Sequence, residues 1–100
     1  MIFEDELKAA GFIIRNTMLE STKILIYDYS DFEILECTIE EHTKVNGEKC
    51  LAVTNLRIYN PFSDEDRDEN IVVINYTLYF DNINKFYDLL TLLNYRINVK

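Results

Sequence analysis

The chain has 100 residues, 48% hydrophobic, 13% aromatic and 28% charged, with two glycines, one proline and two cysteines. This composition predicts one folded domain spanning residues 1–100 and excludes general disorder. Ten basic against eighteen acidic side chains leave a net charge of −8, which argues against direct contact with nucleic acid or an anionic membrane surface.

Met1-Ile2-Phe3 runs straight into Glu4-Asp5-Glu6, the wrong charge for a secretory or mitochondrial leader, and no apolar run reaches the roughly 20 residues that span a bilayer. A cytoplasmic chain with reduced thiols is expected. Residues 3–10 read as a short helix, because three acids favour the positive end of its dipole and Gly11 is a natural stop. Phe3, Leu7 and Ala10 share one of its faces.

Residues 12–19 and 23–29 are rich in Ile, Leu and Tyr around Glu20-Ser21-Thr22, which predicts a first hairpin. In the second, Leu35, Cys37 and Ile39 alternate with Glu36, Thr38 and Glu40 before Asn46-Gly47, a dipeptide that favours a two-residue turn. Such a turn opposes Leu35 to Ile58, Glu36 to Arg57, Cys37 to Leu56, Thr38 to Asn55, Ile39 to Thr54 and His42 to Leu51, with only Lys44 opposite Lys49 unfavourable. In that register Cys37 and Cys50 share a face about 20 Å apart, too far for a disulfide.

Residues 71–80 (IVVINYTLYF) carry apolar side chains in both phases, as a central strand does, with Tyr76, Leu78 and Phe80 on one side. Asp81 or Asn82 can cap a helix to about Leu93, whose Ile83, Phe86, Leu90 and Leu93 form one stripe. Asn94 is a left-handed stop, and Tyr95, Ile97 and Val99 alternate as a short edge strand would. The sum is an α+β fold: an antiparallel meander of about five strands with both helices packed on one face. Leu51, Val53 and Tyr59 are then expected on the open face beside Glu36, Glu40 and His42.

Catalytic and cofactor signatures are weak. His42 lies near Glu40 and Glu41, yet no nucleophile or oxyanion-hole motif accompanies it. Asp64, Asp66 and Asp68 spell D-x-D-x-D, but Glu69 and Asn75 stand where a calcium loop needs Gly and Glu. Two separated cysteines and one histidine cannot complete a zinc site, and two isolated glycines cannot form a phosphate loop. A non-enzymatic chain without a cofactor is the expectation.

What remains is the acidity. Between Lys23 and Lys44 stand Asp28, Asp31, Glu33, Glu36, Glu40 and Glu41 with no base, and residues 63–70 (SDEDRDEN) hold five acids around Arg67. Opposite-sign fields steer association and reject wrong partners. The chain therefore reads as a small acidic binding module, an inhibitor or regulator that occupies a basic surface of a partner protein, such as a nucleic-acid channel. Phage anti-defence and toxin-immunity proteins share this size and charge, an analogy that no motif here carries. Glu40, Glu41, Asp64, Glu65, Asp66, Asp68, Glu69 and Tyr59 are the candidate contacts. The alternative is a structural domain that mates with its own copy through the open sheet face and uses its acidity for solubility.

Overall fold

Hydrophobic alternation with a period of two sets the sheet, and the two acidic or Asn-capped segments at either end of it set the helices. The computed structural model describes residues 1–62 and 69–97, Glu69 by its backbone alone. In chain order the elements are α1 (Glu4–Ala9), β1 (Ile13–Asn16), β2 (Thr22–Ser30), β3 (Glu33–Thr43), β4 (Lys49–Asn60), β5 (Glu69–Ile74), β6 (Leu78–Phe80) and α2 (Ile83–Leu92). All strand pairs are antiparallel in the order β1-β2-β3-β4-β5, with β6 also on β4. The expected α+β meander is the architecture found.

Both helices lie on the same face. Leu7 of α1 and Phe86 and Leu90 of α2 join Leu25, Leu35, Cys37, Ile39, Leu51, Val53, Leu56 and Ile58 in one buried cluster. Each fully buried aliphatic or aromatic side chain there contributes about 1.5–3 kcal/mol of transfer free energy. Asn82 caps α2, its Oδ1 accepting the Asn84 N–H at 2.8 Å, and Asn94 ends the turn after it at a φ of 67°. An aromatic ladder crosses the core: Phe12 to Tyr27 at 4.9 Å, Tyr27 to Tyr29 at 4.6 Å and Tyr29 to Tyr95 at 5.1 Å between ring centroids. It ties the segment after α2 to β2, where the Tyr29 hydroxyl donates to the Tyr95 carbonyl at 3.1 Å. The Tyr95 N–H also donates to the Leu90 carbonyl at 2.7 Å, and residues 95–97, held this way, form no strand, against expectation, while 98–100 lie outside the described residues.

The second hairpin departs from its expected register for one local reason. Its loop has three residues, with the Gly47 N–H bonded to the Lys44 carbonyl at 2.9 Å and the Lys44 N–H to the Glu48 carbonyl at 2.7 Å. Gly47 takes the left-handed position at φ 87°, as in a type I turn closed by a glycine bulge. The strands therefore pair Thr43 with Lys49, His42 with Cys50, Glu40 with Ala52 and Ile39 with Val53. Lys44 no longer faces Lys49, so the unfavourable pair of the two-residue loop is absent.

A bulge then restores the expected register further along. Asn55 sits at φ 53°, and the shift between Glu36 and Thr38 leaves Glu36 opposite Arg57 and Leu35 opposite Ile58. Because side chains alternate strictly, the one-residue offset inverts the faces of residues 49–54. Leu51 and Val53 point into the core at 0% and 1% exposure, not onto the open face. Cys50, Ala52 and Thr54 stand on the open face instead, so Cys37 and Cys50 lie on opposite sides of the sheet as free thiols.

The same bulge explains why residues 71–80 are not one central strand. β5 follows β4 only from Leu56 to Asn60, and β6 only from Leu51 to Val53. The break at residues 75–77 faces the bulged part of β4, where no regular ladder exists to follow. Both segments are on the edge of the sheet. Tyr76 is 67% exposed there and does not join Leu78 and Phe80.

Candidate functional site

Adjacent residues on a strand point to opposite faces, and that alone divides the candidate contacts. Glu40 is on the open face, its Oε2 3.7 Å from His42 Nε2. Glu41 is on the helix-bearing face. There its carboxylate is 2.7 Å from Lys49 Nζ and accepts the Ile2 N–H at 2.8 Å. These bonds, the lysine first, hold its carboxyl below the ordinary range and make Glu41 an anchor for the segment leading into α1. It does not join Glu40 in a common acidic surface.

Tyr59 lies on the open face with the Arg57 guanidinium 4.0 Å above its ring. Arg57 also approaches Glu36, Nη2 to Oε1 at 3.5 Å, so the cross-strand pair inferred from sequence forms and partly neutralises the first acidic run. Asp64, Glu65, Asp66 and Asp68 lie outside the described residues, and Glu69 is fixed only as the backbone partner of Asn60 at the start of β5.

The topology nevertheless defines one end of the sheet sharply. Phe32, in the turn between β2 and β3, and Phe62, just after β4, are 60% and 66% exposed. Their rings meet edge to face with centroids 6.2 Å apart. Each backbone is held by a short polar turn: the Phe32 N–H donates to Ser30 Oγ at 3.2 Å and the Phe62 N–H to Asn60 Oδ1 at 2.9 Å. Asp31 and Glu33 flank Phe32 in the chain, and Asp28 follows in register along the row Asp28, Ile34, Tyr59. The Glu33 carboxylate is hydrogen-bonded with the Tyr95 hydroxyl, which leaves Asp31 as the acid next to Phe32 in the chain; exposed ring faces near negative charge suit a guanidinium.

Neither phenylalanine is among the contacts expected from sequence. Their signal was available: large aromatics in turn segments, outside any strand or helix period, have no core reason to be there.

Nothing comparable assembles around His42. Its neighbours are Glu40 and the Tyr79 ring, 5.6 Å away between centroids, and among the described residues no hydroxyl nucleophile is bonded to it. A depression of about 600 Å³ beside α1 is lined by Glu4, Glu20, Lys23 and Glu41 among others, and His42 is not part of its wall. Among the described residues no three His, Cys, Asp or Glu side chains converge as metal ligands, and no helix is long and apolar enough to cross a membrane. No family model matches the chain, nor does any curated protein or solved structure.

Proposed function

We propose that this protein is a non-catalytic binding module that seats an arginine- or lysine-rich segment of a partner protein against Phe32 and Phe62. The observation that carries the reading is the exposed aromatic pair at an end of the sheet, with Asp31 next to Phe32 in the chain and Asp28 three residues before it. A net charge of −8 draws a basic partner in, while the rings supply the short-range contact that charge alone lacks. Occupying a basic surface in this way is how a small inhibitor or regulator acts without a cleft of its own.

The reading does not extend to imitation of a duplex phosphate row. A strand spaces six acids over fourteen residues at about one per 8 Å, against one per about 1.7 Å of duplex. Glu36 is paired with Arg57, and Glu40 and Glu41 face opposite ways.

A fluorescein-labelled peptide of alternating arginine and glycine tests the proposal by anisotropy. Its affinity should fall steeply as salt rises, and Phe32→Ala with Phe62→Ala should weaken it roughly fivefold or more, since each exposed cation–aromatic contact is worth about 0.5–1 kcal/mol. An affinity unchanged by the double substitution, or indifferent to salt, would remove the aromatic end as the contact.

A further inference from the structure

The tip of the second hairpin sets a side-chain amide next to a backbone nitrogen that nothing shields. The chain has ten asparagines, and Asn46 alone precedes a glycine. Both residues are exposed. A carbon added at Gly47 would meet nothing within 4 Å, so there is room for a ring to close there and for water to reach it. Every other asparagine precedes a residue whose own side chain crowds the following nitrogen or, at Asn60, a proline with no N–H to lose.

The hydrogen bonds of the turn favour attack within this pair. The Glu48 N–H donates to Asn46 Oδ1 at 3.0 Å, closing a ring of atoms that contains the Gly47 nitrogen. That bond polarises the Asn46 side-chain carbonyl, and negative charge developing on Oδ1 falls on a donor already in place. The Gly47 N–H is itself bonded to the Lys44 carbonyl at 2.9 Å. Its proton must leave to a base before the nitrogen can attack.

We infer that Asn46 is a self-modification site, which cyclises onto Gly47 as a succinimide and reopens as aspartate or isoaspartate. The deprotonated Gly47 nitrogen bonds to Asn46 Cγ, the Cγ–Nδ2 bond breaks, and Nδ2 takes a proton from water and leaves as ammonia. Water then adds to one of the two ring carbonyls. Opening between Cγ and the Gly47 nitrogen gives aspartate on the original backbone. Opening between the Asn46 carbonyl carbon and that nitrogen gives isoaspartate, with the main chain routed through Cγ. Only water is consumed, and no oxidant or reductant enters.

The sheet feels the result. Either product adds one negative charge, taking the chain from −8 to −9. Isoaspartate also lengthens the three-residue loop by one backbone carbon, which displaces the Gly47 N–H from the Lys44 carbonyl beside the Thr43 and Lys49 pair that starts the ladder. The tip is at the end of the sheet away from Phe32 and Phe62, so this chemistry and the proposed binding fail separately.

The test is incubation of the folded protein in mildly alkaline water enriched in heavy oxygen, followed by peptide mapping in a mass spectrometer and an enzymatic assay for isoaspartate. The expected result is an amide-to-acid mass gain confined to residue 46, one heavy oxygen taken up there, and isoaspartate among the products. The isoaspartate form should melt about 4–8 °C lower, the shift that loss of one net hydrogen bond gives a chain of this size. Asn46→Ser keeps an oxygen for the Glu48 N–H but cannot cyclise, and should show neither the mass gain nor the drop in midpoint. An amide retained at residue 46, acid gained equally at other asparagines, aspartate without isoaspartate, or an equal loss of stability in Asn46→Ser each overturns the inference.

Discussion

The left-handed residue Asn55 marks where the offset of residues 49–54 ends, so perturbing it tests which of their side chains reach the open face. Its φ is 53° and its side chain is exposed, so substitutions there act through the backbone and lose little packing. A β-branched side chain in this conformation is strained, and Asn55→Val should cost about 1–3 kcal/mol. For a chain of this length that lowers the thermal midpoint by roughly 5–15 °C. Asn55→Gly removes the Cβ conflict but loses more backbone entropy on folding, and the two effects nearly cancel, leaving it within about 0.5 kcal/mol of the parent. The assay is thermal unfolding of the three proteins followed by circular dichroism at neutral pH. Equal midpoints for the valine and glycine variants would refute the reasoning: the bulge would be absent, the hairpin would keep a straight register, and Leu51 and Val53 would return to the open face.

Three further outcomes follow from the same packing. Leu51→Ala should cost about 2–5 kcal/mol and Thr54→Ala less than about 1 kcal/mol in urea unfolding; comparable losses at both positions contradict the assigned faces. Glu41→Gln removes a carboxylate whose folded pKa is lowered by Lys49 and the Ile2 N–H. Its stabilisation is present above the unfolded carboxylate pKa and fades as pH falls through the lower folded value. The variant should therefore be less stable near neutral pH by about 0.5–1 kcal/mol. That gap should begin to narrow as pH falls past the ordinary carboxylate value of about 4.5 and close only below the lowered folded value; one that persists unchanged in strong acid would show the loss to be steric. Cys37 and Cys50 are 1% and 4% exposed, and burial pushes the Cys37 thiol up. A chromogenic disulfide should label neither before unfolding, and prompt reaction of one thiol in the native protein would contradict the packing at that residue.

Periodicity made most of the fold legible. Glu4-Asp5-Glu6 with Gly11, the alternation around Cys37, and Asn82 before the Phe86 and Leu90 stripe each marked an element by local chemistry. The register near Gly47 was not legible, because Asn-Gly suits both a two-residue turn and the last position of a three-residue one. The unfavourable Lys44 and Lys49 pair is the mark in the sequence against a two-residue turn. The bulge at Asn55 hid for a related reason: Asn tolerates left-handed backbone but does not demand it. The break at residues 75–77 was invisible because it answers a distortion in another strand. Glu36 opposite Arg57 was expected from a two-residue turn, and it forms because the bulge at Asn55 offsets the extra loop residue. The meeting of Phe32 with Phe62 depended on which loops share an end of the sheet, a property of topology rather than of either segment.

The central claim, that a basic partner is received at the aromatic end, is tested most directly by amide chemical-shift mapping of the intact protein titrated with the arginine-glycine peptide. The account predicts that saturating shifts centre on residues 30–34 and 59–62, with the Phe32 and Phe62 ring resonances moving in step, and that added salt reverses them. Shifts centred on Glu4, Asp5 and Glu6 of α1, or spread evenly over every exposed acid, would contradict it.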